Sequence, residues 1–135
     1  MRLINRNTDY AIKALLHIAG NSSGRFPVSE LSDVLKIPHP FLRKILQVLQ
    51  KEGILLSSKG KGGGFALAIP PKRIYLTDVM KIFQGSLELD HCLYRKELCP
   101  DIKTCPLRRK ILSLEKRFVQ ELASITIQSL LDDKP

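Results

Sequence analysis

No stretch of this chain approaches the roughly 20 consecutive apolar residues that a membrane-spanning helix needs. No apolar segment of the kind that drives secretion follows its opening, MRLINRNTDY. Acidic residues are scarce as well: 13 Asp and Glu stand against 22 Lys and Arg, a net charge of +9 over 135 residues. No nucleophile sits beside a general base. The glycine run from Gly60 to Phe65, GKGGGF, lacks the G-x-x-x-x-G-K-[ST] spacing that wraps a phosphate chain. An enzyme is therefore not expected. There is no internal repeat, and the length fits one compact domain or one domain with an appendage. Cysteine is limited to three residues, an odd number that cannot close a disulfide set. These absences exclude a spanning membrane protein and a disulfide-stapled secreted scaffold. They leave a small basic protein expected in the cytoplasm, where thiols stay reduced. Its expected counterpart is an anion, nucleic acid first and a membrane surface second.

What is present is periodic. Ile12, Leu15, Leu16 and Ala19 recur at the spacing of one buried helical face, which predicts a helix over 9–19 capped by Thr8 or Asp9. After the loop NSSGRFP, a short helix is expected with Ser29 as N-cap and Leu31, Val34 and Leu35 turned inward. KIPHP breaks it. A third helix starts at His39 or Pro40, with Phe41, Ile45, Val48 and Leu49 as its apolar stripe, and Gly53 ends it. Two short strands follow, Ile54 to Ser57 and Phe65 to Ala68, joined by SKGKGGG.

Two short helices and a basic hairpin outline a winged helix-turn-helix, so a mainly α head with a small β-hairpin wing is expected over 1–72. In that arrangement the third helix enters the major groove of double-stranded DNA, and the hairpin reaches the flanking backbone or minor groove. The candidate contacts are His39, Pro40, Arg43, Lys44 and Gln47 on the helix and Lys59, Lys61, Gly62 and Gly63 on the wing. Taken singly, each could be an ordinary solvated residue. Placed after the turn, in a chain this basic, contact with DNA is the better reading.

The remainder, 73–135, carries a short helix capped by Thr77 and closed by Gly85, a polar segment at about 86–105, and a long helix from Pro106. Along that helix Leu107, Ile111, Leu114, Phe118, Leu122 and Ile125 recur at coiled-coil spacing. Thr126 is expected to cap a last short helix. The seam could pack on its own domain. Self-association through Ile111, Leu114, Phe118 and Leu122 is favoured, because the winged helix already closes a core without it. A two-fold homodimer would also present two heads to a palindromic operator.

All three cysteines fall in HCLYRKELCPDIKTCPLRRK: six residues separate Cys92 from Cys99, and five separate Cys99 from Cys105. They lie off any apolar face, and three thiolates brought together repel one another unless a cation joins them. Zinc and iron–sulfur clusters are the thiolate-seeking choices. Zinc sites favour tighter C-x₂₋₄-C pairs, so the wide spacing suits a polynuclear centre better. A fourth ligand is needed, with His91, His17, His39, Asp9 or an external molecule as candidates.

The opening MRL, TDYAIKALLHIA in the first helix, the wing KGKGGGF, and Cys92, Cys99 and Cys105 before a long helix resemble one family. It is the bacterial winged-helix iron–sulfur transcription regulators of the IscR/NsrR kind, and the resemblance spans nearly the whole chain. It implies a homodimeric regulator, here a repressor, whose operator affinity follows an iron–sulfur cluster sensing nitric oxide, redox state or iron–sulfur status. IscR-like members complete the ligand set with a His three residues after the third cysteine. Arg108 stands there in this chain, and a guanidinium does not ligate iron. NsrR-like members use an Asp at the start of the first helix of the partner subunit, the place of Asp9. The pattern thus leans to the NsrR-like arrangement and a 4Fe–4S cluster, with 2Fe–2S as the other possibility. The Cys92–Cys99 gap is one residue wider than the family's usual five. The alternatives are a zinc- or thiol-switched winged helix without a cluster and, in another class, an iron–sulfur carrier.

Overall fold

The computed structural model describes residues 3–21, 24–85 and 105–133. Within them the chain forms α1 (Arg6–Gly20), α2 (Val28–Leu35), α3 (His39–Lys51), β1 (Leu55–Ser58), β2 (Gly64–Leu67), a 3-10 turn (Pro71–Arg73), α4 (Leu76–Gln84), α5 (Pro106–Ala123) and α6 (Ile127–Asp132). The architecture is mainly helical with one antiparallel hairpin, the expected winged helix-turn-helix. One core runs through it. Leu15 of α1, Leu31 of α2, Leu42, Leu46 and Leu49 of α3, and Leu55 of β1 are fully buried, together with Ile74, Val79 and Ile127 from the C-terminal half. α1 lies at the centre and packs against α2, α3, α4, α6 and β2. No described helix is long and apolar enough to cross a membrane.

Several element ends differ from the sequence expectation. α1 starts at Arg6, three residues before Asp9. Asn5 is its N-cap, and the Asn5 side-chain oxygen accepts from the Thr8 N–H at 2.8 Å. Thr8, expected as a cap, is fully buried, and its hydroxyl donates to Gln84 Oε1 at 2.8 Å. α2 starts at Val28 behind Pro27, which leaves Ser29 inside the helix without a capping role. Thr77 likewise sits within α4, whose N-cap is Tyr75. The Leu76 N–H donates to the Ile125 carbonyl at 3.0 Å and the Ile127 N–H to the Ile74 carbonyl at 2.9 Å. A backbone bridge between Tyr75 and Thr126, 51 residues apart, thus does the work of a side-chain cap. Thr126 caps α6 as expected, in a reciprocal box with Ser129.

The stripe on α3 is also corrected. Leu42, Ile45, Leu46 and Leu49 face the core, while Phe41 and Val48 are exposed. Both sets satisfy helical periodicity, because apolar residues occupy more than one face of this helix. Val34 of α2 is exposed for the same reason.

In the wing Leu55 pairs with Leu67, Leu56 with Ala66, Ser57 with Phe65 and Ser58 with Gly64, one residue later at β1 and one earlier at β2 than expected. The turn between them is tight. A Cβ on Gly63 would lie 2.5 Å from the Ser58 carbonyl oxygen and 2.9 Å from that of Gly60. Only glycine fits.

Candidate nucleic-acid interface

α3 presents to solvent the face opposite its four leucine and isoleucine anchors. His39, Arg43, Gln47 and Gln50 recur there at steps of four, four and three, which aligns them along one side of the helix. The wing stands beside this face. Between them opens a groove of about 550 Å³ lined by His39, Arg43, Gln47 and Gln50 of α3, by Ser57 to Gly60 with Gly63, Gly64 and Phe65 of the wing, and by Pro27, Val28 and Ser29 at the start of α2. No acidic residue lines it. Among the described residues, Arg43, Lys44, Lys59 and Lys61 form no ion pair. A concave, cationic surface rich in amide and hydroxyl groups suits a polyanion that also carries hydrogen-bonding edges.

Of the nine residues singled out from sequence, His39, Arg43, Gln47, Lys59 and Gly63 line the groove, while Pro40, Lys44, Lys61 and Gly62 are exposed outside it. Sequence reasoning missed Gln50, although it lies three residues beyond Gln47 on the same face. It also missed Ser29, whose hydroxyl had been assigned to a helix cap, and the wing serines.

The metal-ligand candidates divide between described and undescribed residues. Cys92, Cys99 and His91 lie outside the described residues. Cys105 is a free, half-buried thiol at the N-cap position of α5. Asp9 is 47% exposed in its side chain and pairs with Lys13 at 2.9 Å. Because Asn5 caps α1, the Asp9 carboxylate has no capping duty, and it borders a shallow hollow with Leu3, Ile4, Asn5, Arg6 and Tyr10. His17 lies in the last turn of α1, its ring edge-on to Phe26 at 5.6 Å, and His39 lines the groove between α3 and the wing. Among the described residues, no three His, Cys, Asp or Glu side chains converge. The donor chemistry of Cys105 and Asp9 fits a thiolate-rich cluster with one oxygen ligand, provided that the two are completed by groups beyond those described.

The start of α1, which carries Asp9, is bolted to the end of α4, from which the cysteine segment departs. Gln84 is the bolt. Its Oε1 accepts from the Asn5 N–H at 3.0 Å as well as from Thr8, its Nε2 donates to the Leu3 carbonyl at 2.7 Å, and Asn5 Nδ2 donates to the Phe83 carbonyl at 3.0 Å.

On α5 no residue is fully buried. Leu107 and Leu114 are exposed, and Ile111, Phe118 and Leu122 are half-buried. Leu122, Val119 and Ala123 border a hollow of about 270 Å³ against Thr77, Met80 and Lys81 of α4 and Gly85 just beyond it.

Comparison with known proteins places this geometry. Residues 4–133 match the family model Rrf2, described as an iron-dependent transcriptional regulator. A protein of Aquifex aeolicus (strain VF5) described as an HTH-type transcriptional regulator is 32% identical over 125 residues, 91% of this chain and 87% of its own. The fold is shared with CymR, the global cysteine regulator of B. subtilis, at a TM-score of 0.79 and 19% identity, with each chain fully covered. It is shared too with an IscR of T. potens, at a TM-score of 0.73 and 23% identity over 98% of this chain and 88% of that one. The carrier alternative falls away with these matches, and so does an enzyme. The chain belongs to the Rrf2 family and is a DNA-binding transcription regulator.

Proposed function

We propose that this regulator is a homodimeric repressor whose operator affinity is set by an iron–sulfur cluster, 4Fe–4S in preference to 2Fe–2S. Cys92, Cys99 and Cys105 hold the cluster, and Asp9 of the other subunit supplies the fourth ligand. When bound, such a cluster supplies a centre that reacts with oxidants and nitric oxide and depends on iron supply. One observation carries the reading: every cysteine of the chain falls between residues 92 and 105, in a segment that ends at the N-terminus of a helix with no fully buried residue. The family description as iron-dependent supports it. Further support is the accessible Asp9 carboxylate, which the helix cap does not use.

The chain's own residues would couple the two functions. Ile111, Leu114, Phe118 and Leu122 join the subunits. A carboxylate on α1 of one subunit and thiolates of the other make each site depend on both heads. Losing the site then alters how the two α3 helices and wings are held against two half-sites, which is a coupling free energy between sensing and reading. On each head His39, Pro40, Arg43, Lys44 and Gln47 meet base edges or phosphates, and Lys59, Lys61, Gly62 and Gly63 meet the flanking backbone.

Iron, acid-labile sulfide and zinc analysis of anaerobically purified protein tests the cluster. Iron and sulfide in equal amounts, lost in Cys92→Ala, are expected; zinc in their place, or bare thiols, moves the reading to a zinc or thiol switch, the alternative that likeness to a cysteine regulator keeps open. A mixed dimer of Asp9→Ala and Cys92→Ala subunits tests the fourth ligand. It retains one intact site only if Asp9 acts across the interface.

A further inference from the structure

The wing is a hairpin of four paired positions. A lone hairpin of that size does not hold its orientation in water. Its support comes from residues 24–27, between α1 and α2. The Phe26 N–H donates to the Phe65 carbonyl and the Phe65 N–H to the Phe26 carbonyl, both at 2.9 Å. Phe26 is thereby a one-residue third strand beside β2. At Gly64 the two backbones come so close that a Cβ would lie 2.5 Å from the Phe26 carbonyl. One residue before Phe26, Arg25 Nη1 donates to the Ser58 hydroxyl. Ser58 is the strand partner of Gly64 and lines the groove.

Arg25 is exposed, and among the described residues no carboxylate pairs with it. A guanidinium carries five N–H donors in a planar fork, and this one spends one on Ser58. The guanidinium stands beside the last strand pair before the wing's turn, next to Ser58, which lines the cationic groove.

We propose that Arg25 is a further contact to the DNA backbone. Its free N–H groups take a phosphate beside the wing, while the Ser58 hydroxyl holds the guanidinium in position. The fork matches two phosphate oxygens at once, a geometry an ammonium group cannot reproduce. Anchoring by Ser58 reduces the rotamer freedom lost on binding. The proposal rests on the groove between α3 and the wing being the DNA face.

The test is titration of the full-length protein against a fluorescent random-sequence duplex of about two helical turns, over roughly 50–200 mM salt. Arg25→Ala is expected to weaken binding and to flatten the slope of log K against log salt by about one unit for each head engaged. Ser58→Ala is expected to weaken binding with the slope unchanged, since it removes the anchor and no charge. Arg25→Lys should keep most of the slope and lose part of the affinity. A parental slope in Arg25→Ala overturns the contact, whether or not affinity falls. Arg43→Ala and the Lys59→Ala, Lys61→Ala pair separate the two layers. If they bind like the parent, the groove is not the DNA face, and both readings fail. If they weaken binding and Arg25→Ala does not, the Arg25 contact alone fails. Thermal melting of each variant confirms that the head is folded.

Discussion

α3 and α5 are both amphipathic, and the fold uses them in opposite ways. α3, with 13 residues, buries four side chains against its own chain and turns a polar face outward. α5, with 18 residues, buries none fully and leaves Leu107 and Leu114 exposed. A helix whose apolar face is already matched offers its polar face to an external ligand. A helix whose apolar face is unmatched offers that face itself. The first arrangement suits reading DNA; the second suits a copy of the same chain.

The contrast can be broken at three places. The largest effect is expected in α3. Leu46 is fully buried, so Leu46→Ala should cost about 2–5 kcal/mol of stability in a urea titration, at every protein concentration. Leu114→Ala on α5 should leave that transition in place and change only its dependence on protein concentration. Equal losses for the two variants would mean that α5 belongs to the same packed unit as α3. Next comes Phe118→Lys, which forces a charge into the proposed seam, where unpaired burial is costly. It should sediment as a folded monomer and bind a palindromic site poorly. A tight dimer would place Phe118 against its own subunit. The smallest effect concerns the bolt between the halves. Gln84→Ala strips partners from the Asn5 N–H and the buried Thr8 hydroxyl, at about 1–3 kcal/mol. Gln84→Glu keeps the accepting oxygen and should recover much of that loss in a thermal melt. Equal melting of Gln84→Ala and parent would show that the contacts are dispensable.

Residues that act through local pattern are legible in the sequence. The glycine-rich turn of the wing, Pro106 at the start of α5, and the Thr126 cap all read correctly, because their signals lie within a few residues. What was missed acts over distance. The N-cap of α1 is fixed together with Gln84, 79 residues away, and α4 starts where the 125–127 backbone meets it. The periodicity of α3 fits two stripes, and packing against α1, α2 and β1 selects Leu42 and Leu46 over Phe41 and Val48. Arg25 carries no motif, and it gains a place only through the pairing of Phe26 with Phe65. The cysteine site is legible as a motif alone, since of its three thiols only Cys105 lies among the described residues.

In the proposed mechanism the cysteine-bearing half governs the half that reads DNA. The most direct measurement takes one anaerobic sample and one duplex selected by the protein from a random library, and compares affinity before and after the iron is removed. A change of about 5- to 150-fold is expected, the usual span of coupling between sites, and Cys92→Ala should start at the iron-free value and not move. Equal affinity with and without iron, in a sample that bound iron and sulfide at the outset, would contradict it.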